Sequence, residues 1–220
     1  MVQFQRARSE EQREQRRQAI LTTAAAMLAE MPVADVGLNE LARRVGLAKS
    51  NVLRYFESLE AVLLELLDQS CRDWLAQLTP LLAEIGGDLR TRRERLVGCV
   101  VRTLIADPVL CDLFGAQAAV LERNISPEVA ARFKRTAYAN AVELAATVER
   151  VIPELTGDRA LKFVGMTQMS AGALWGHSHP SAAMLAAYEQ YSDLAALRLD
   201  FEATLTDMLN TVAKGLLADD

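Results

Sequence analysis

From Leu38 to Tyr55 the apolar residues Leu38, Leu41, Val45, Leu47, Val52 and Tyr55 are spaced for two short helices, with Ala42 and Gly46 set between them. That spacing leaves few ways to fold. Two helices that cross steeply need a small residue where they touch, and Ala42 supplies it. The turn Gly46-Leu47-Ala48 needs a residue free to take positive φ, which glycine does at no steric cost. The first helix is predicted over Leu38–Val45 with Gly37 at its N-cap, and the second over Lys49–Tyr55 with Val52 and Tyr55 turned inward. Lys49, Ser50, Asn51 and Arg54 are then left outside, on the part of a helix–turn–helix that meets base edges and phosphates. A hairpin that merely packs, with Lys49 and Arg54 solvated, stays open on these residues alone.

The flanks read as helix throughout. Ala and Leu dominate, Gly and Pro are scarce, and hydrophobic residues make up 51% of the 220, enough for a sizeable core. Ile20, Ala24, Met27 and Leu28 give the apolar half of a first helix that Pro32 stops, while its charged start, Ser9 to Gln18, frays outside the core. Glu57-Ser58 is read as the cap of a long amphipathic helix carrying Leu59, Val62, Leu63, Leu66 and Leu67. Breaks follow at Gly86-Gly87-Asp88, Asp107-Pro108, Ser126-Pro127, Thr156-Gly157-Asp158 and His179-Pro180-Ser181. Leu96, Val97, Val100, Val101, Leu104 and Ile105 line one of the helices between them. Leu194, Leu197, Phe201, Leu205, Met208 and Val212 line the last. The fold class is all-α, near ten helices, with no strand in the pattern.

Charge is uneven along the chain. Residues 1–54 carry nine Lys and Arg against six Asp and Glu, although the whole chain has a net charge of −5. An acidic protein with a basic end points to a polyanion met by that end alone. Cys71, Cys99 and Cys111 form no CxxC pair and no even set, so neither a disulfide framework nor a zinc site is expected. The first residues lack the apolar core of a signal peptide, and no window approaches the roughly 20 apolar residues of a membrane span. A cytoplasmic protein away from membranes is the expectation, with no cofactor.

At this point the residues resemble the TetR family of bacterial transcriptional repressors, over about Gln18 to Leu67. The matching positions are Leu41-Ala42, Gly46-Leu47, Lys49, Val52, Tyr55-Phe56 and Ser58 before Glu60. The resemblance implies an N-terminal three-helix DNA-binding domain, 1–57 with 1–12 flexible, and a helical effector-binding and dimerisation domain, 58–220. It implies DNA contacts from Gly37, Arg44, Lys49, Ser50, Asn51, Arg54 and Tyr55. Three positions depart from the family pattern: Leu53 and Leu59 stand where Tyr and Lys are usual, and Gly37 replaces a usual Thr or Ser. Arg43, Arg44 or the arm's Arg6, Arg8, Arg13, Arg16 and Arg17 are the groups that would make up the missing charge, although Glu10, Glu11 and Glu14 interrupt the arm.

The resemblance further implies a homodimer, a palindromic operator and release by a small-molecule effector. The last helix and the small-residue segment Gly165–Gly176 are the expected dimer interface. Phe114, Gln117, Tyr138, Met169 and Trp175 are candidate effector contacts, though pockets and ordinary cores draw on the same residue types. His177 and His179, two apart on a helix, point differently and make a poor metal pair. Two other functions stand against this one. The first is a DNA-binding adaptor without a small ligand. The second is a helical enzyme with a structural N-terminal hairpin, which the lack of paired carboxylates, a nucleophile–base set or a phosphate-cradling loop disfavours.

Overall fold

The computed structural model describes residues 2–218, with side chains from Glu10 onward. Eleven α-helices are found among the described residues, and no strand. They are α1 (Val2–Glu30), α2 (Leu38–Val45), α3 (Lys49–Val52), α4 (Leu59–Ala83), α5 (Leu89–Ile105), α6 (Pro108–Ala116), α7 (Pro127–Val151), α8 (Asp158–Ser178), α9 (Ala182–Gln190), α10 (Ser192–Ala195) and α11 (Phe201–Leu217). A 3₁₀ turn, Val33–Asp35, separates α1 from α2, and a π-helical turn, Gln117–Leu121, follows α6.

The chain packs as two units: residues 1–69 with 116–134, and residues 70–115 with 135–220. In the first, Ile20, Leu21, Ala24 and Met27 of α1 are buried with Leu41 and Ala42 of α2, Val52 of α3, and Val62 and Leu63 of α4. Arg17 stitches this unit together. It donates to the Tyr55 carbonyl at 2.9 Å, pairs with Glu65, and lies 4.3 Å from the Phe56 ring centre. In the second, α11 packs on both α5 and α8. Its core holds Leu96, Val97 and Leu104 of α5, Leu110 and Leu113 of α6, Phe163 and Val164 of α8, and Leu205 and Leu209 of α11.

The breaks act as caps with short side chains that accept from the first turn. Asp88 accepts from the Thr91 amide at 2.7 Å, Asp107 from Leu110 at 3.0 Å, Ser126 from Val129 at 3.2 Å and Ser58 from Ala61 at 3.1 Å. Glu57 is not part of the α4 cap; its carboxylate accepts from the Ser126 amide, and Glu60 accepts from the Asn124 side chain at 2.7 Å.

Several expectations are corrected. The stretch Ser9 to Gln18, expected to fray, is continuous helix within α1, and its Arg17 is bonded to the Tyr55 carbonyl. α3 ends at Val52 rather than Tyr55, because the bonds of Arg54 to Asn51 and of Tyr55 to Val52 tighten to three-residue spacing. The last helix begins only at Phe201, where Asp200 caps it by accepting from Ala203 at 2.7 Å, so Leu194 belongs to α10 and Leu197 is exposed. Its buried row is Phe201, Leu205, Leu209 and Ala213. Met208 therefore faces out, one residue off the stripe read from the sequence, and Ile105 of α5 is also exposed. Gly172 is not free for a partner chain: a Cβ there would meet the Gly115 nitrogen at 2.6 Å, so α8 and α6 cross backbone against backbone.

Candidate nucleic-acid interface

The corner between α2 and α3 forms as its sequence demands. Gly46 takes φ 75°, and the amides of Gly46 and Leu47 close back on the carbonyls of Arg43 and Ala42 at 3.2 and 2.9 Å. That pair of bonds satisfies the helix end and turns the chain sharply; a side chain at Gly46 would strain the left-handed backbone. Ala48 then opens α3 in an extended conformation, and Val52, fully buried, pins α3 to the unit. Lys49, Ser50, Asn51 and Arg54 are all exposed, while Tyr55 is half-buried. With one residue anchoring a four-residue helix, every other side chain on it is free to meet a ligand. Gly37 caps α2 with extended backbone and offers no side chain, leaving the first amides of α2 open.

The arginines of α2 sit differently. Arg43 donates to both oxygens of Glu40 at 2.8 and 2.6 Å, and Arg44 donates to Glu40 at 2.8 Å and to Glu30 at 2.6 Å. The Arg43 and then the Arg44 hydrogen bonds hold the Glu40 carboxyl down to about 2. Its contribution to stability is therefore fully present above the ordinary glutamate value near 4.5 and is lost progressively as pH falls from there through about 2. The carboxylate also draws positive charge back onto α2. Glu40→Gln is expected to free the Arg43 guanidinium and to leave Arg44 held by Glu30 alone, strengthening binding to a random-sequence duplex by roughly threefold and steepening its salt dependence. Fluorescence anisotropy reads both, and unchanged binding would mean the clamp does not limit Arg43 and Arg44.

Of the arm, Arg13 and Arg16 are exposed, Arg17 is spent on Glu65 and the Tyr55 carbonyl, and the side chains of Arg6 and Arg8 lie outside the described residues. Gln12, Arg13, Gln15 and Arg16 line a cleft of about 680 Å³ together with Arg54 and Tyr55. Sequence reasoning misses this convergence. A helical projection of residues 10–17 is the signal that would show it.

The five candidate effector contacts are not brought together. Gln117 lies in the first unit, where it donates to Glu122 at 2.8 Å. Phe114 and Trp175 are half-buried in the second unit, and Trp175 stacks 3.8 Å from His179 and edge-on to Phe201 at 5.2 Å. Tyr138 and Met169 are 62% and 68% exposed. The second unit does form a groove of about 640 Å³ lined by Arg95, Cys99, Arg102, Ile105 and Glu202 among others. It also has a smaller cavity, about 230 Å³, between Thr79, Leu82, Thr147 and Arg150. Neither is lined by any of the five. Among the described residues no three His, Cys, Asp or Glu side chains gather for a metal, and no helix is long and apolar enough to cross a membrane.

With the corner's geometry established, its relatives can be set beside it. Residues 20–66 match the family described as bacterial regulatory proteins, tetR family, and residues 68–220 match the tetracyclin repressor-like C-terminal domain. The chain belongs to the TetR family. It is thus a DNA-binding transcriptional regulator of the helix–turn–helix type, in a family of non-enzymatic proteins. The HTH-type transcriptional regulator EthR of Mycobacterium tuberculosis is 45% identical to it over 51 residues, 23% of this chain and 24% of EthR. The match thus spans about a quarter of that relative. A TetR-family regulator from Mesorhizobium loti, known from its crystal structure, aligns with 93% of this chain and 96% of its own at a TM-score of 0.53. The identity is 16%, and the likeness speaks for the fold alone.

Proposed function

We propose that this TetR-family protein acts in the cytoplasm as a homodimeric repressor, with residues 1–57 reading a palindromic operator and residues 58–220 pairing the chains and taking a small-molecule effector. The observation that carries the reading is α3, whose Val52 is fully buried while Lys49, Ser50 and Asn51 stand exposed beside Arg54. In this reading Lys49, Ser50 and Asn51 meet base edges. Arg54, Tyr55, the Gly37 end of α2 and Arg44 hold phosphates.

Pairing of two chains is supported by what α8 and α11 leave uncovered. Met166, Met169, Ala173 and Gly176 are exposed along one face of α8, and Met208, Thr211 and Gly215 along one face of α11. Apolar and small residues repeated at helix-pairing spacing suit a four-helix contact between two copies. Half-buried Phe114 and Trp175 are the preferred effector contacts of the five, and Tyr138 and Met169 join them only where a second chain covers them. An effector that binds better to a dimer with mis-spaced headpieces would release the operator by the ratio of its two affinities.

Selection of bound duplexes from a random pool tests the reading directly. The expected product is a two-fold-symmetric site whose half-sites lie about 34–36 Å apart, bound by a species of twice the chain mass in light scattering. An asymmetric single site bound by a monomer would defeat the dimer. No enrichment at low salt would defeat sequence-specific DNA binding altogether.

A further inference from the structure

We propose that the amino half of α1 belongs to the DNA-binding surface, through a cleft in which Arg13, Arg16 and Arg54 hold the sugar–phosphate strand of a duplex. The inference rests on the DNA-binding reading above and extends it to residues outside the helix–turn–helix.

The six arginines of residues 10–54 divide into two groups. Arg17, Arg43 and Arg44 each sit on a carboxylate: Glu65, Glu40, and Glu40 with Glu30. Arg13, Arg16 and Arg54 form no ion pair among the described residues, yet all three line one cleft of about 680 Å³ whose other walls are Gln12, Gln15 and Tyr55. Among the described residues no carboxylate lines it. Three unpaired guanidinium groups converging on one hollow repel each other in the free protein, and an anion placed among them removes that cost. The remaining walls bring two amides and a phenol, all able to donate to phosphate oxygens.

The acidic residues of the arm do not oppose this. At about 100° per residue, the cleft-lining Gln12, Arg13, Gln15 and Arg16 fall within one arc of roughly 160°, while Glu10, Glu11 and Glu14 fall within a separate arc of roughly 100°. What reads as a mixed-charge run along the sequence is two separate faces on the helix. The basic face is the one that meets Arg54 and Tyr55. Arg54 and Tyr55 follow directly on α3, so a strand lying in the cleft belongs to the same duplex that α3 reads. The hollow is many times the size of a single phosphate group, which fits a length of backbone better than a free anion.

Full-length Arg13→Gln/Arg16→Gln tests the assignment against Arg90→Gln/Arg102→Gln, which removes equal charge from exposed positions on α5. Anisotropy titrations use a labelled random-sequence duplex of about two helical turns at several salt concentrations between about 50 and 200 mM. The α1 variant is expected to bind roughly tenfold more weakly, with a salt slope shallower by about 0.9 for each phosphate it no longer neutralises. The α5 variant should follow the wild type. Arg13→Lys/Arg16→Lys keeps the charge and should restore most of the slope, which a loss of folding would not permit.

Equal binding by the α1 and α5 variants overturns the cleft while leaving DNA binding in place. Wild-type protein that binds no duplex overturns both. Inorganic phosphate at matched ionic strength supplies the remaining arm. Competition beyond that of chloride marks the cleft as a free-anion site and overturns the strand assignment, and competition equal to chloride supports it.

Discussion

Gly172→Ala is expected to lower the thermal midpoint by roughly 5–10 °C, corresponding to a loss of about 2–4 kcal/mol in a chain of this size. A Cβ built at Gly172 lies 2.6 Å from both the Gly115 nitrogen and the Phe114 carbonyl carbon, and 3.0 Å from the Gly115 Cα. All three are backbone atoms, so no rotamer change relieves the contact and α6 as a whole has to move. Leu110, Cys111 and Leu113 of α6 are each fully buried and would be dragged from their packing. The contact is reciprocal, since a Cβ on Gly115 would meet the Gly172 carbonyl oxygen at 2.8 Å. Gly98→Ala is the matched comparison. Gly98 lies exposed within α5 with nothing within 4 Å of its Cβ position, so the same change there should stabilise by about 0.5–1 kcal/mol through helix propensity. Circular-dichroism melts of the two variants should move in opposite directions, and a Gly172→Ala melt at or above wild type would show that α6 and α8 can part without cost.

Gly172 also shows where the sequence speaks and where it falls silent. That the segment Gly165–Gly176 permits close approach is legible; which helix approaches is not, because the partner, Gly115, is 57 positions away and nothing local to either glycine names the other. Features whose cause lies within one turn of chain are readable from the residues alone. Gly37, Gly46, Asp88, Asp107 and Ser126 mark helix ends with bonds spanning a few residues, and α2 falls on the bounds its apolar spacing gives. The last helix fails for a related reason. Leu and Met are spread around α11, so the pattern has no unique phase, and its packing against α5 and α8 selects Leu209 over Met208. In the candidate site, the exposed set on α3 follows from a single buried anchor, Val52. The pairing of Arg43 and Arg44 with Glu40 escapes a reading by charge alone, although spacings of three and four residues on one helix suggest it.

Lys49→Ala and Arg54→Ala are each expected to weaken operator binding by roughly ten- to a hundredfold, without change in melting temperature or in dimer mass. Each removes a cation that the folded chain does not use. Both side chains are exposed, and neither has an ion-pair partner among the described residues, so stability has nothing to lose. Their effects should differ in kind. A bond to a base edge discriminates, so Lys49→Ala should cost more on the selected operator than on a random duplex and should relax the preference at one position of each half-site. A bond to phosphate does not discriminate, so Arg54→Ala should weaken both duplexes alike and flatten the salt dependence by about 0.9 for each phosphate left without its cation. In a symmetric dimer each change acts twice, which is what makes these the largest effects on binding expected of any single substitution in the chain. If both variants titrate as wild type does on a selected site, α3 is not the reading helix, and the exposed residues beside Val52 are only solvated surface.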